Sequence, residues 1–333
     1  MMFRFVSKMG LAALTISLAL SSPIFGQPPD PGATKAGPEA DAVDVGIGHD
    51  RRDRMTVPIS IDGKGPYDFL IDTGAERTII SAELARELAL AEGRRARMHS
   101  MSGVGDVETV IIPKLQVSRK SVAGIHAPAL RAANIGASGM LGIDSLQSQR
   151  ITFDFQRKKM TVVPSNSREP DDDPNEIVVR ARSRLGRLVL VDASLDGQKL
   201  IVILDTGAEV TVGNDALRRK LVSKRKMGVT IPIQLISVTG GVIQADYTQV
   251  RQVRLGGVRI QDLPVAFAEV HPFKQLDLAD RPALLLGMDA LRLFDRVSVD
   301  FANRKVRFMA PELSGFGGST RMAAFAGELK SGQ

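Results

Sequence analysis

Hydrophobic and polar residues alternate along this chain in short, β-branched runs broken by glycine and aspartate, a period-2 pattern that predicts strands. Residues 56–61 and 67–71 flank Asp62-Gly63-Lys64-Gly65 as the arms of a hairpin, and residues 188–195 and 199–204 flank Asp196-Gly197 in the same way. Helical spacing is confined to short pieces. Ser81 is placed to cap a helix over 82–90, with Leu84 and Leu88 on one face. Asn214 is placed to cap another over 215–221, and 145–149 is helix-prone. The pattern therefore predicts a mainly β protein.

The runs also repeat. Phe69-Leu70-Ile71-Asp72-Thr73-Gly74-Ala75-Glu76 is answered 133 residues later by Val202-Ile203-Leu204-Asp205-Thr206-Gly207-Ala208-Glu209. The glycine-bearing stretch 101–106, followed by a strand over 107–112, is answered by Ser237-Val238-Thr239-Gly240-Gly241. Leu141-Gly142-Ile143-Asp144 is answered by Leu286-Gly287-Met288-Asp289, and Phe153-Asp154-Phe155 by Val299-Asp300-Phe301. Landmarks recurring in one order imply an internal duplication, and two copies imply a pseudo-twofold pair of lobes. Asp72 to Gly142 spans 70 positions whereas Asp205 to Gly287 spans 82. The extra dozen fall around 269–280, including His271-Pro272-Phe273, and are expected to give the two lobes unlike walls and to hold selectivity.

An isolated Asp-Thr-Gly is ordinarily a turn. Two of them in matched contexts point to chemistry. Glycine after the carboxylate lets another backbone or side chain come close. Two carboxylates about 3 Å apart cannot both ionise, so the pair shares one proton. One member then acts as base toward a water while the protonated partner donates to a carbonyl oxygen. Thr73 and Thr206 carry hydroxyls suited to hydrogen bonds across the lobe interface.

These motifs resemble the retropepsin-like aspartic proteases, the group of pepsin-type and retroviral enzymes, and especially bacterial exported members with two lobes. The resemblance covers about residues 54–309 and rests on apolar-apolar-Asp-Thr-Gly-Ala-acidic-x-Thr, the glycine-rich flap and the apolar-apolar-Gly before a helix. It implies two β-barrel lobes in one chain and an endopeptidase whose catalytic pair is Asp72 and Asp205. Thr73, Gly74, Ala75, Thr206, Gly207 and Ala208 become the supporting loops. Ser102, Gly103, Val104 and Gly105, with Val238, Thr239, Gly240 and Gly241, become flap residues over the substrate. The implied substrate is an extended peptide added as a strand under the flaps, and neither cofactor nor metal is expected. Ala-Glu after the glycine follows the retroviral variant, and the first flap lacks the tyrosine of pepsin. A non-catalytic peptide-binding or assembly module of the same fold is the rival reading.

Composition narrows the picture further. Of 333 residues, 44% are apolar and 24% charged, as in globular proteins, and the absence of cysteine rules out disulfide, thiolate and cysteine-zinc chemistry. The net charge of +7 comes from scattered Lys and Arg without interleaved aromatics, so no nucleic-acid partner is expected. His49, His99, His126 and His271 are dispersed and make no zinc-hydrolase spacing. Arg4 and Lys8, an apolar run over 9–20 and small residues over 21–26 read as an export signal over 1–26. That predicts a periplasmic or secreted protein with no stable membrane span after cleavage, an uncleaved anchor being the less favoured reading. The remaining boundaries are a disordered spacer over 27–53, a first lobe over 54–164, a linker over 165–176, a second lobe over 177–310 and a flexible tail over 311–333. With both aspartates in one chain, a monomer is expected.

Overall fold

A computed structural model describes residues 43–46, 48–49, 55–117, 120–146, 148–165, 176–184 and 187–311. The expected export signal lies outside the described residues, as do most of the spacer and linker and nearly all of the tail. The spacer reading is corrected at its far end. Val43–Gly46 is a strand antiparallel to Lys159–Pro164, and Gly48–His49 pairs with Met55–Ile61. Alternating Val43 and Val45 gave a two-period cue too short to stand out from its Pro- and Gly-rich surroundings.

Two closed rings of six strands dominate. The first runs Met55–Ile61, Lys64–Ile71, Gly139–Leu141, Ile79–Ser81, Lys120–Leu130, Thr109–Val117 and back to Met55–Ile61. The second repeats that order with Arg187–Leu195, Gln198–Leu204, Ala283–Leu286, Val212–Gly213, Val258–Phe267 and Val242–Leu255. Closure leaves few free edges. Asp62 and Gly63 both adopt positive φ, as do Asp196 and Gly197, the backbone that a two-residue turn between twisted strands demands. The strand after the first turn starts at Lys64, earlier than the sequence pattern suggested.

The motif loops are placed by an inserted strand. Gly139–Leu141 is parallel to Lys64–Ile71 and antiparallel to Ile79–Ser81, so the chain leaving Ile71 must loop around its end. Ala283–Leu286 does the same between Gln198–Leu204 and Val212–Gly213. Ser81 and Asn214 cap their helices as expected, accepting from the Leu84 and Leu217 amides. The first helix is only Ala82–Glu87, because the chain turns at Leu88 and Ala89 takes a left-handed φ of 50°. The second extends to Ser223, and the third short helix is Ile143–Leu146, not 145–149.

Below the rings the lobes share one sheet. Gln149–Asp154 pairs antiparallel with Arg296–Asp300, in register at Thr152 and Ser298, whose hydroxyls lie 2.9 Å apart. Each of these strands carries its own hairpin partner, Lys159–Pro164 or Lys305–Met309, and Glu176–Arg184 joins beyond the latter. Ile151, Phe153, Val297 and Val299 from the shared sheet are buried within one core that extends into both barrels. A smaller core beneath the second lobe gathers Val270, Phe273, Leu276 and Leu278 from the longer insertion against Ile203, Val212 and Leu285. That insertion is thus anchored by its own apolar residues. Among the described residues no helix is long and apolar enough to cross a membrane.

Candidate active site

Asp72 and Asp205 occupy matching places where the inserted strands force the chain to turn. The Asp72 amide donates to the Leu141 carbonyl and the Asp205 amide to the Leu286 carbonyl, each at 3.0 Å. One carboxylate oxygen of each is held by its own loop. Asp72 Oδ1 accepts from the Gly74 and Ala75 amides at 2.7 and 3.0 Å. Asp205 Oδ1 accepts from Gly207 and Ala208 at 3.1 and 3.2 Å. The loops are locked together underneath. The Thr73 amide donates to Thr206 Oγ1 at 3.0 Å and the Thr206 amide to Thr73 Oγ1 at 3.1 Å. Each hydroxyl then donates onward, Thr73 to the Leu204 carbonyl and Thr206 to the Ile71 carbonyl. Both threonines are buried, so every one of these polar groups depends on its partner.

The lock brings the carboxyls face to face. A methyl group added at Gly74 would come within 2.7 Å of the Asp205 carboxyl, and one at Gly207 would collide with the carboxyl of Asp72. Glycine is required at both positions for this close approach, not for backbone freedom. Burial above all, then the negative charge of Asp205, push Asp72 from its ordinary 3.8 up to about 7, against the Gly74 amide and the Arg187 cation. Asp205 is raised too, chiefly by burial, and is held back by Arg187 and by the Asp72 hydrogen bond. Both carboxyls are thus pushed toward the protonated form, and at this separation they titrate as a pair.

Both carboxyls open onto a cleft of about 650 Å³ bordered by the two floor loops and by a hairpin from each lobe. The first hairpin is Ala96–Ser100 paired with Gly103–Val107, and the second is Ile231–Ile236 paired with Val242–Leu255. Their tips meet. Thr239 Oγ1 lies 3.1 Å from Ser100 Oγ and 3.2 Å from Ser102 Oγ, and Gly241 packs so closely on Ser102 that a Cβ would not fit. The residues expected as flaps take up different positions in these hairpins. The first turn is Met101-Ser102, while Gly103, Val104 and Gly105 belong to the returning strand, and the strand expected over 107–112 is present but interrupted at Glu108, continuing as Thr109–Val117. Of the eight flap residues expected over substrate, Val238 alone borders the cleft, joined by Met98, Ser100, Met101 and Leu235. At the tips the polar side chains are spent on each other.

The longer insertion forms a wall through the helix His271–Gln275, of which Pro272 and Gln275 border the cleft. It also holds the first hairpin, since the His271 amide donates to the Met101 carbonyl at 2.9 Å and the His99 and His271 rings are hydrogen-bonded at 2.8 Å. Burial foremost, then the neighbouring His99, Lys274 and Arg187 charges, lower the His271 pKa.

Three features escaped the sequence reading. Asp144 accepts from the Thr78 amide and hydroxyl, and Asp289 from those of Thr211, tying each floor loop to the short helix beyond it. The repeated Leu-Gly-x-Asp, with a threonine six residues after each motif aspartate, carried that signal in both halves. The His99–His271 contact joins residues 172 apart and left no local trace. Arg187, buried at the start of its strand, likewise sits in no motif. Among the described residues no group of His, Cys, Asp and Glu could hold a metal ion.

Comparison with known families matches each lobe separately. Residues 57–148 match the gag-polyprotein aspartyl protease family, and residues 191–290 match a second family described as aspartyl protease. No curated protein matches the chain. The ring order, the doubled loops and these two matches agree, and the two lobes are retropepsin-like β-barrel domains joined in one polypeptide, each similar to an aspartyl-protease family.

Proposed function

We propose that this protein is an aspartic endopeptidase in which Asp72 and Asp205 act as one dyad on peptide substrate. The observation that carries the reading is the pair of Asp-Thr-Gly loops, cross-linked through buried threonines, with the two carboxyls brought against each other. The ionised member of the pair takes a proton from a bound water as the oxygen attacks the peptide carbonyl. The protonated member donates its proton to the carbonyl oxygen, so a neutral tetrahedral diol forms. Proton transfer to the amide nitrogen then allows the C–N bond to break, and the dyad recovers its single proton. The hairpins close over an extended peptide and exclude bulk water.

The dyad must hold one proton, so turnover should fall as pH climbs through about 7, where Asp72 loses it. The test is digestion of a proteome-derived peptide library from pH 3 to 8 by wild type, Asp72→Asn and Asp205→Asn, with cleavage sites read by mass spectrometry. Cleavage by wild type and none by either variant is expected. Normal turnover by one variant ends the dyad assignment, and retention of peptides without cleavage by wild type favours a binding module. We further propose that the protein is exported and works as a monomer, on the strength of the basic-apolar-small pattern over 1–26 and of both aspartates lying in one chain. Cell fractionation with sequencing of the mature N-terminus, and sedimentation of that species, test these two points.

A further inference from the structure

Arg187 borders the cleft, yet peptide hydrolysis does not call for it. It opens the strand Arg187–Leu195 and is 7% exposed. Its buried Nε–H has no hydrogen-bond partner, and no carboxylate among the described residues makes an ion pair with it. Its charge nevertheless bears on Asp72, Asp205 and His271, which sets it between the floor and the insertion wall. A buried donor without a hydrogen bond is costly, and the nearby aspartates act on the Arg187 charge without supplying that acceptor. Arg77 and Arg97 also border the cleft, but both are exposed and solvated at its rim. Arg187 is thus a largely buried, forked donor bordering the cleft where substrate would lie, and a carboxylate is the group that matches a fork in both charge and shape.

We propose that Arg187 is the specificity residue of this cleft, pairing with a substrate carboxylate so that peptides with Asp or Glu beside the scissile bond are preferred. The proposal rests on the hydrolytic reading of the dyad and deepens it. A site built to hydrogen-bond one group discriminates strongly against an analogue that leaves its buried donors unmatched. The expected preference for an acidic residue over its amide at one position is therefore tenfold or more in kcat/KM.

Library cleavage by wild type first locates the position at which Asp and Glu are enriched. Synthetic peptides then carry Asp or Glu there against Asn or Gln, with free or amidated C-termini to separate a side-chain from a terminal carboxylate. The acid-to-amide ratio of kcat/KM should be at least ten for wild type and fall to near one in Arg187→Gln, with an intermediate value in Arg187→Lys. The ratio is internal to each protein, so a general loss of activity does not mimic the effect. No acidic enrichment in wild-type cuts overturns the proposal, as does a ratio that survives in Arg187→Gln. A preference that vanishes on amidating the C-terminus overturns the side-chain assignment. If wild type cuts nothing, the hydrolytic reading fails separately. Retention of the same library on immobilised Asp72→Asn protein and on Asp72→Asn/Arg187→Gln then decides, acidic peptides held equally by both refuting the role of Arg187.

Discussion

Replacing Asp72 by asparagine should make the protein harder to melt at pH 8 and no harder at pH 4. The sign follows from proton linkage. Asp72 is raised from 3.8 to about 7 on folding, so between those values the folded chain holds a proton that the unfolded chain has released. Stability attributable to Asp72 is complete below about 4 and is lost as pH rises through 7. Asparagine is neutral throughout, keeps an oxygen for the Gly74 and Ala75 amides, and offers Asp205 a hydrogen bond from its NH₂. A shift of about three units at about 1.4 kcal/mol each amounts to roughly 4 kcal/mol. Asp72 keeps an edge on the open cleft, where solvent screens part of this, so about 2 kcal/mol is expected. For an ordered body of this size that corresponds to a rise of roughly 4–8 °C in Tm.

The assay is a set of melting curves for wild type and Asp72→Asn from pH 3 to 9, read by circular dichroism or calorimetry. The two Tm profiles should coincide at the acid end, separate between pH 4 and 7, and run parallel above. A constant difference across the whole range, or a variant less stable at pH 8, would refute the shared-proton electrostatics. The measurement needs no substrate, so it tests the dyad independently of catalysis.

Gly74→Ala and Gly207→Ala should each abolish cleavage while the far-ultraviolet spectrum persists, because the added methyl displaces the opposite carboxyl; peptide turnover beside circular dichroism checks this. His271→Phe removes the ring bond to His99 while leaving its own amide on the Met101 carbonyl. Amide exchange in Ala96–Val107 should then quicken roughly two- to tenfold, the loss of an exposed hydrogen bond of about 0.5–1.5 kcal/mol, and unchanged exchange would show that the ring pair does not restrain the hairpin.

Where the sequence was legible, the cause was local or repeated. Aspartate-glycine between two β-prone runs has few other uses than a tight turn, and Ser81 and Asn214 can satisfy orphan amides wherever a helix starts. The facing of the two carboxyls was legible because the duplication printed each half in the same context, so that Asp205 gave meaning to Asp72. What stayed hidden was non-local. The flap tips look in sequence like substrate-facing turns, yet Ser102 and Thr239 find each other across the cleft. Arg187 is one more cation in a basic chain until burial removes its water. The edge strand Val43–Gly46 exists because Lys159–Pro164 offers it a free ladder, which nothing near residue 43 could announce. The insertion over 269–280 was read as a wall and does border the cleft, but most of its apolar side chains are spent anchoring it.

The threonine lock allows a sharper question about how these loops share their load. Each hydroxyl makes two bonds: Thr73 Oγ1 accepts from the Thr206 amide and donates to Leu204, and Thr206 Oγ1 accepts from the Thr73 amide and donates to Ile71. The two hydroxyls do not bond to each other, so Thr73→Val and Thr206→Val remove separate sets. Each leaves one buried amide without an acceptor and one carbonyl without a donor, a loss of about 1–3 kcal/mol apiece. If the parallel strands on either side keep the loops from relaxing, the double variant should lose the sum, with coupling within about 0.5 kcal/mol in urea denaturation. Activity should behave otherwise. Either single variant lets one carboxyl drift from the other, and a dyad already separated has little further to lose, so the double variant should be scarcely slower than the worse single one. Coupling above about 1 kcal/mol in stability, or rate losses that multiply, would mean that the loops yield together and that the rigidity attributed to the shared floor lies elsewhere.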